Sequence, residues 1–195
     1  MKDILKLGGI LLLVTAIAGA ALSMVNSITR PKIEMQKRLV LERALTKALP
    51  TADKNAIIHI EEDGEDFYKG YANADTSDLV GYAFVAFGPG YSSVIETMVG
   101  VDTVGQISGL TVLHQVETPG LGTKVEEIKY GEDSPWFTRQ FISRSWKGLA
   151  VDKDGGEINS ITGATISSRA VTNSIREGLK DLEETLGGFQ QSESD

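Results

Sequence analysis

The chain opens on a long apolar run, which is followed by short apolar segments separated by polar turns. Residues 7–26 carry no charge, and this length is about what a helix needs to cross the hydrocarbon core of a membrane. We therefore assign residues 1–27 to a transmembrane anchor. A cleaved signal peptide is the competing interpretation, because Ala18, Gly19 and Ala20 resemble a cleavage site. The length of the apolar run favours the anchor.

Residues 28–50 are predicted to form a helical stalk that ends before Pro50. Its partial apolar face favours packing on the domain that follows, and docking of a partner is the alternative. Residues 51–186 are predicted to form that domain. Its apolar segments predict strands at residues 56–60, 67–72, 79–87, 94–101 and 107–114. Because the connections are short, neighbouring strands should pair antiparallel.

A helical pattern closes the domain. Apolar residues recur there at three- and four-residue steps, at Val171, Ile175, Leu179, Leu182 and Leu186. Ser167 or Ser168 is the predicted N-cap of this helix. Residues 187–195 are polar and rich in Gly and Ser, which predicts a disordered tail. The predicted fold class is α+β: one transmembrane helix, then a domain of antiparallel strands with flanking helices.

Composition excludes several kinds of chemistry. The chain has no cysteine, so disulfides, iron–sulfur clusters and thiolate metal sites are excluded. Two histidines are too few for a histidine-rich metal site, and we predict no metal ligand. A net charge of -8 without a basic stripe argues against nucleic acid as a partner. Any redox chemistry must therefore come from an organic cofactor.

The segment from Ser160 to Ser168 places five hydroxyl side chains around one glycine, directly before the last helical pattern. Thr165 falls at or just before the start of the predicted helix. The N-terminus of a helix favours an anion, since its free N–H groups and its dipole both attract negative charge. The segment therefore predicts a phosphate site with a hydroxyl beside it, and an ordinary capped helix is the alternative.

The run from Thr162 to Thr172 resembles the flavinylation motif of the FMN-binding domain family, and within it that of the G subunits of Rnf electron transport complexes. The C subunits of sodium-translocating NADH:quinone reductases are related. The resemblance implies that Thr165 carries FMN through a phosphoester bond, made by a flavin transferase that uses FAD. It places these motif residues around the cofactor: Thr162, Gly163, Ala164, Ile166, Ser167 and Ser168. The family motif begins with Asp where this chain has Asn159.

A second segment, from Glu117 to Gly122, resembles the family loop that packs beside the isoalloxazine ring. The resemblance assigns five of its residues to the cofactor site: Glu117, Thr118, Gly120, Leu121 and Gly122. Two separated motifs in the same order are more specific than either alone. His114 and Glu117 invite an acid–base mechanism, but flavin electron transfer does not need one, and we predict no catalytic residue.

The sequence allows two interpretations for each of three side chains, Lys147, Lys153 and Trp136. The family comparison favours Lys147 as a partner of the FMN phosphate; Lys153 is the alternative, and both are otherwise surface lysines. Trp136 follows Ser134 and Pro135 at a predicted helix start. It belongs either to the core, which we favour, or to a cover over the flavin edge.

The resemblance implies an electron-transfer subunit rather than a stand-alone enzyme. It implies a membrane complex that couples ferredoxin and NAD to ion translocation in a bacterial or archaeal inner membrane, with the other subunits as partners. The alternatives are an FMN domain of another redox chain, a regulatory or sensory FMN domain, and a binding module without redox function. Counting cations on both sides of residues 7–26 favours a cytoplasmic domain, whereas the resemblance implies the extracytoplasmic, periplasmic side.

Overall fold

The computed structural model describes residues 2–62 and 64–189, which begin with one long helix. Helix α1 runs from Lys2 to Ala48 without a break, with Pro31 inside it. The separate anchor and stalk expected from the sequence are thus parts of the same helix, since one proline removes a single backbone donor. In the described part of the chain, α1 is the one helix long and apolar enough to span a membrane.

The chain divides into two compact units, with the boundary between Val40 and Leu41. In the first unit the described side chains of α1 are exposed. The second unit contains the end of α1 and the folded domain. Burial of helix residues therefore begins only near the end of α1, at Ala44, Leu45 and Ala48.

Five strands form an antiparallel sheet in sequence order. They are β1 (Ile57–Glu62), β2 (Glu65–Tyr71), β3 (Leu79–Pro89), β4 (Val94–Asp102) and β5 (Ile107–His114). The predicted strands and their antiparallel pairing are confirmed, with boundaries that differ by up to two residues. The α+β class is confirmed as well.

One face of the sheet packs against the last helix and the connections that precede it. These elements are a short 3-10 helix (Gly122–Glu126), α2 (Trp136–Arg139), a second 3-10 turn (Asp152–Asp154) and α3 (Thr165–Thr185). The apolar stripe of α3 is buried, as its spacing predicts, and meets side chains such as Phe84 and Val99. Gly178 lets α3 approach the sheet, because a Cβ there would lie 2.3 Å from Cε2 of Phe84.

The opposite face of the sheet receives the last turns of α1, in the manner expected of a stalk that packs on the domain. Gly100 and Gly109 pair across β4 and β5. A Cβ on Gly100 would lie 2.0 Å from the carbonyl oxygen of Ala48, and one on Gly109 would lie 2.0 Å from that of Lys47. The hydroxyl of Ser108 donates to the Ala48 carbonyl at 2.7 Å. The helix backbone therefore rests directly on the sheet.

Packing of the domain continues past residue 186, the predicted end of the folded region. The ring of Phe189 lies 6.5 Å from that of Tyr82, measured between centroids, and covers Gly105. The predicted tail therefore includes at least one residue that packs on the domain. Its residues 190–195 lie outside the described part of the chain.

Candidate functional site

A cavity of about 730 Å³ lies where the β3–β4 turn, the loop after β5 and the first turn of α3 meet. Its volume is in the range typical of small-molecule sites. Its lining consists of Tyr91, Glu117, Thr118, Leu121, Gly122, Gly163, Ala164, Thr165, Ile166 and Ser167. The fold thus brings the two sequence motifs together in one concave site.

Helix α3 begins at Thr165, and its N-cap position is Ala164, which makes no side-chain cap hydrogen bond. The prediction of Ser167 or Ser168 as N-cap is therefore wrong. Gly163 has a φ of +79° and turns the chain into the helix earlier than the serines suggest. Ser168 instead forms hydrogen bonds within the motif. Its hydroxyl donates to the carbonyl of Ala164 at 3.0 Å and accepts from the N–H of Ile161 at 2.9 Å.

Thr165 is thus the first residue of a 21-residue helix, and it lines the cavity while half-buried. The first N–H groups of an α-helix have no acceptor within the helix, and they carry the positive end of its dipole. An attached phosphate at this hydroxyl would meet these donors. The helix start therefore combines a hydroxyl at the cavity with N–H groups that favour an anion.

Glu117 connects the three segments that build the cavity. The side chain is only 4% exposed. Its carboxylate accepts from the N–H groups of Ser92 at 2.9 Å, Ser93 at 3.0 Å and Tyr91 at 3.1 Å, and from the hydroxyl of Ser167 at 2.6 Å. Burial raises the pKa of this carboxyl, but the Ser167 hydroxyl and the three N–H groups outweigh burial and hold the pKa below its ordinary value.

Two large apolar side chains remain exposed at the cavity. Leu121 is 43% exposed and Ile166 is 50% exposed, and both belong to the lining. The glycines keep the walls close: a Cβ on Gly122 would lie 2.6 Å from the Ser167 hydroxyl, and one on Gly163 would lie 3.1 Å from Cδ2 of Leu121. The cavity therefore offers apolar surface to a flat ring and polar donors at the helix start.

Four predicted site residues lie outside this lining: Thr162, Gly120, Ser168 and Lys147. Lys147 is exposed, and its ammonium nitrogen lies 5.7 Å from the ring centroid of Trp146. The alternative, Lys153, pairs with Asp152 at 3.5 Å. Within residues 2–62 and 64–189, no Lys, Arg or His lines the cavity. The donors available to a phosphate in this lining are therefore N–H and hydroxyl groups.

Asn159, at the position where the sequence resemblance implies Asp, lines a different cleft. Its side-chain amide donates to Oε1 of Gln140 at 3.0 Å, and its backbone N–H donates to the same oxygen at 2.8 Å. Trp136 lines this second cleft rather than the cavity. Its ring packs edge-on against buried Phe137, with 5.9 Å between centroids, which agrees with the core interpretation.

Sequence reasoning missed the turn at Tyr91, Ser92 and Ser93, which donates three N–H groups to Glu117. Backbone donors leave no side-chain signature. The sequence signal that could have indicated this turn is the polar stretch directly after Gly88, Pro89 and Gly90. Tyr91, 72% exposed, belongs to both the turn and the cavity lining.

Comparison with known proteins adds independent findings. Two family models match the chain: the FMN-binding domain over residues 90–180 and the RnfG N-terminal region over residues 1–47. The G subunit of the ion-translocating oxidoreductase complex of Shewanella piezotolerans is 32% identical over 189 residues, covering 90% of this chain and 87% of the relative. The G subunit of the Na(+)-translocating ferredoxin:NAD(+) oxidoreductase complex of Acetobacterium woodii is 32% identical over 199 residues, with 92% and 91% covered.

Solved structures give a weaker match. The C subunit of the Na(+)-translocating NADH-quinone reductase from Parabacteroides distasonis matches with a TM-score of 0.45 and 22% identity, covering 69% of this chain and 63% of that one. NqrC from Shewanella oneidensis matches with a TM-score of 0.45 and 18% identity, covering 70% of this chain and 74% of that one.

Proposed function

Because this chain belongs to the family of G subunits of ion-translocating oxidoreductase complexes, we propose that it is the FMN-carrying electron-transfer subunit of such a complex. One observation supports the proposal at the site: Thr165 lines the same cavity as four residues of the second motif, Glu117, Thr118, Leu121 and Gly122. The complex couples electron transfer between ferredoxin and NAD to ion translocation, and its other subunits are the partners of this chain.

The residues of the cavity fit FMN. Leu121 and Ile166 supply exposed apolar surface for the isoalloxazine ring, and the start of α3 supplies N–H donors for the phosphate. Bound FMN supplies reversible uptake of electrons. The chain itself provides the attachment point, the orientation of the ring and the electrostatic surroundings.

Attachment is by a phosphoester at Thr165. In the transfer reaction the Thr165 oxygen forms a bond to the FMN phosphorus of FAD, the pyrophosphate bond breaks, and AMP leaves. The hydroxyl proton passes to the flavin transferase. Thr165 suits this step because it lies at the start of a helix and is only half-buried, so that an enzyme can reach it.

The attachment site is tested by co-expressing the full chain with a flavin transferase and recording flavin fluorescence on a denaturing gel. We expect a fluorescent band for the wild type and none for Thr165→Val. Thr185→Val is the matched control and should keep the fluorescent band, because Thr185 is the last residue of the same helix and does not line the cavity. Fluorescence retained in Thr165→Val would assign the attachment to another residue.

We place the FMN domain on the extracytoplasmic side of the membrane, with α1 as a single span. The absence of cysteine makes this testable, because any introduced cysteine is unique. Tyr130→Cys, at a fully exposed position, should react with a membrane-impermeant maleimide added to intact spheroplasts. Lys2→Cys should react only after lysis. The reverse labelling pattern would place the domain in the cytoplasm.

A further inference from the structure

We propose that the buried carboxylate of Glu117 lowers the reduction potential of the flavin held in the cavity, which makes Glu117 a potential-setting residue. The inference rests on the proposed function, since it requires FMN in this cavity. It adds a role for one side chain beyond shaping the site.

The negative charge of Glu117 is buried without a cation beside it. Each of its close partners is neutral: three backbone N–H groups and the hydroxyl of Ser167. Ser93 adds a longer hydroxyl contact at 3.3 Å. Among the described residues, no ion pair includes Glu117 and no basic side chain lines the cavity. Dipoles stabilise this charge but do not cancel it.

The carboxylate keeps its charge at neutral pH. Burial raises the pKa of Glu117, but the hydroxyl and N–H donors outweigh burial and hold the pKa below its ordinary value. The flavin in this cavity therefore faces a permanent negative charge.

Adding two electrons and one proton to a flavin ring leaves one more negative charge on the ring. A fixed negative charge opposes that change, and reduction becomes less favourable. At an effective dielectric constant of about 20, a unit charge roughly 10 Å away alters such an equilibrium by about tenfold. Charge near the ring is a recognised means by which proteins tune flavins. Removing the charge of Glu117 should therefore raise the potential.

A purely structural role is the alternative, because Glu117 also ties the turn, the loop and α3 together. Ser93→Ala separates the two roles. It removes a hydroxyl contact of 3.3 Å to the carboxylate, leaves the charge in place and lies outside the cavity lining.

The experiment is an anaerobic spectroelectrochemical titration of the full chain, loaded by a flavin transferase and purified in detergent. We expect Glu117→Gln to shift the equilibrium toward reduced flavin by at least about tenfold, which corresponds to about 30 mV for a two-electron couple. Ser93→Ala should change this equilibrium less than threefold. A Glu117→Gln potential within threefold of the wild type, or below it, would overturn the inference.

A second pair of variants covers the case in which Glu117→Gln does not fold or is not loaded. Glu117→Asp and Glu117→Asn have side chains of equal size and differ in charge, and the Asn variant should have the higher potential. Thermal unfolding of the flavin-free proteins reports folding independently of the potential. Equal potentials for Glu117→Asp and Glu117→Asn would refute the inference.

The titration distinguishes the role of Glu117 from the proposed function of the chain. A wild-type chain that never acquires flavin refutes both. A loaded wild type whose potential does not respond to these charges refutes the role of Glu117 alone.

Discussion

At the residue scale, Glu117 and Ser167 join two segments that lie fifty residues apart through a hydrogen bond of 2.6 Å. The carboxylate is buried, and so is the hydroxyl that binds it. A buried acceptor that loses a donor keeps its desolvation cost without the compensating bond. The stability of the domain and the shape of the cavity therefore depend on the same contact.

Ser167→Ala should lower the free energy of unfolding by about 1–3 kcal/mol, because it leaves the buried carboxylate with one donor fewer. Urea unfolding of the flavin-free protein measures the change. Ser174→Ala is the matched control: that hydroxyl is also buried but donates only to the carbonyl of Val171 in its own helix. Equal losses in the two variants would contradict a special role for the contact with Glu117.

The effect of Ser167→Ala should depend on pH. The bond lowers the folded-state pKa of Glu117 from an ordinary value of 4.5, so its contribution is complete above pH 4.5. It is lost as the pH falls through the lowered folded-state pKa. The difference in unfolding free energy between wild type and variant should shrink over that interval, and a constant difference would argue against the link.

Asn159→Asp should increase the fraction of chains that carry flavin, because it restores the acid found in the family motif. The side chain of Asn159 binds Gln140 and does not line the cavity. The change should therefore act on the transfer reaction and leave the flavin absorption spectrum unchanged. Band fluorescence per amount of protein, sampled during co-expression, measures the fraction. An unchanged fraction would show that Asn serves as well as Asp.

At the element scale, the apolar end of α1 lies on β4 and β5 through a pair of glycines. This contact explains why β4 is buried on both faces, so that burial does not alternate along the strand. It also explains why both paired positions are glycine: only a residue without a Cβ lets the helix backbone lie so close to the sheet. The helix thus covers a sheet face that would otherwise be apolar and exposed.

Gly100→Ala should destabilise the domain by about 1–3 kcal/mol, because the added methyl overlaps the Ala48 carbonyl and pushes the helix away. Thermal unfolding measures the loss. Ser108→Ala is the comparison: it removes the hydrogen bond to Ala48 without adding volume and should cost about 1 kcal/mol. If Gly100→Ala unfolds like the wild type, the helix end does not rest on the sheet as described.

The sequence predicted the elements well where local signals were strong. Alternating apolar residues bounded by turn residues located the strands, and β5 was predicted with the bounds observed. The sequence divided residues 1–27 and 28–50 into an anchor and a stalk, whereas α1 continues through both. A single proline costs one backbone hydrogen bond, which the flanking turns tolerate.

The candidate site was predictable only in part. Motif resemblance located Thr165 and the loop from Glu117, and the fold brings them together. It did not indicate the turn at Tyr91, whose contribution is made by backbone N–H groups. Lys147, predicted as a partner of the FMN phosphate, does not line the cavity: its neighbour Trp146 packs against the core, and the lysine is exposed.

At the scale of the whole molecule, the boundary between the two compact units falls inside α1 rather than at its end. The residues from Leu41 onward include the turns that pack on the sheet. Residues before Leu41 contribute no buried side chain in the described part of the chain. The folded domain therefore begins within a helix.

A variant that begins at Leu41 should unfold with a free energy within about 0.5 kcal/mol of the full chain, since it loses no buried residue. A variant that begins at Pro50 also loses the buried side chains of Leu45 and Leu49, and it should be about 3–6 kcal/mol less stable than the full chain. Circular dichroism with urea measures both. Equal stability of the two variants would show that the end of α1 does not belong to the domain.

The position of α3 at the end of the chain has a consequence for biogenesis. The five strands pair with sequence neighbours and can form hairpins as they leave the ribosome, but their apolar face stays open until Val171, Ile175 and Leu179 arrive. Thr165 becomes part of a structured acceptor only then. If Thr165 carries the cofactor as proposed, a chain that terminates before α3 lacks the helix start that presents Thr165, and we expect it to remain without flavin.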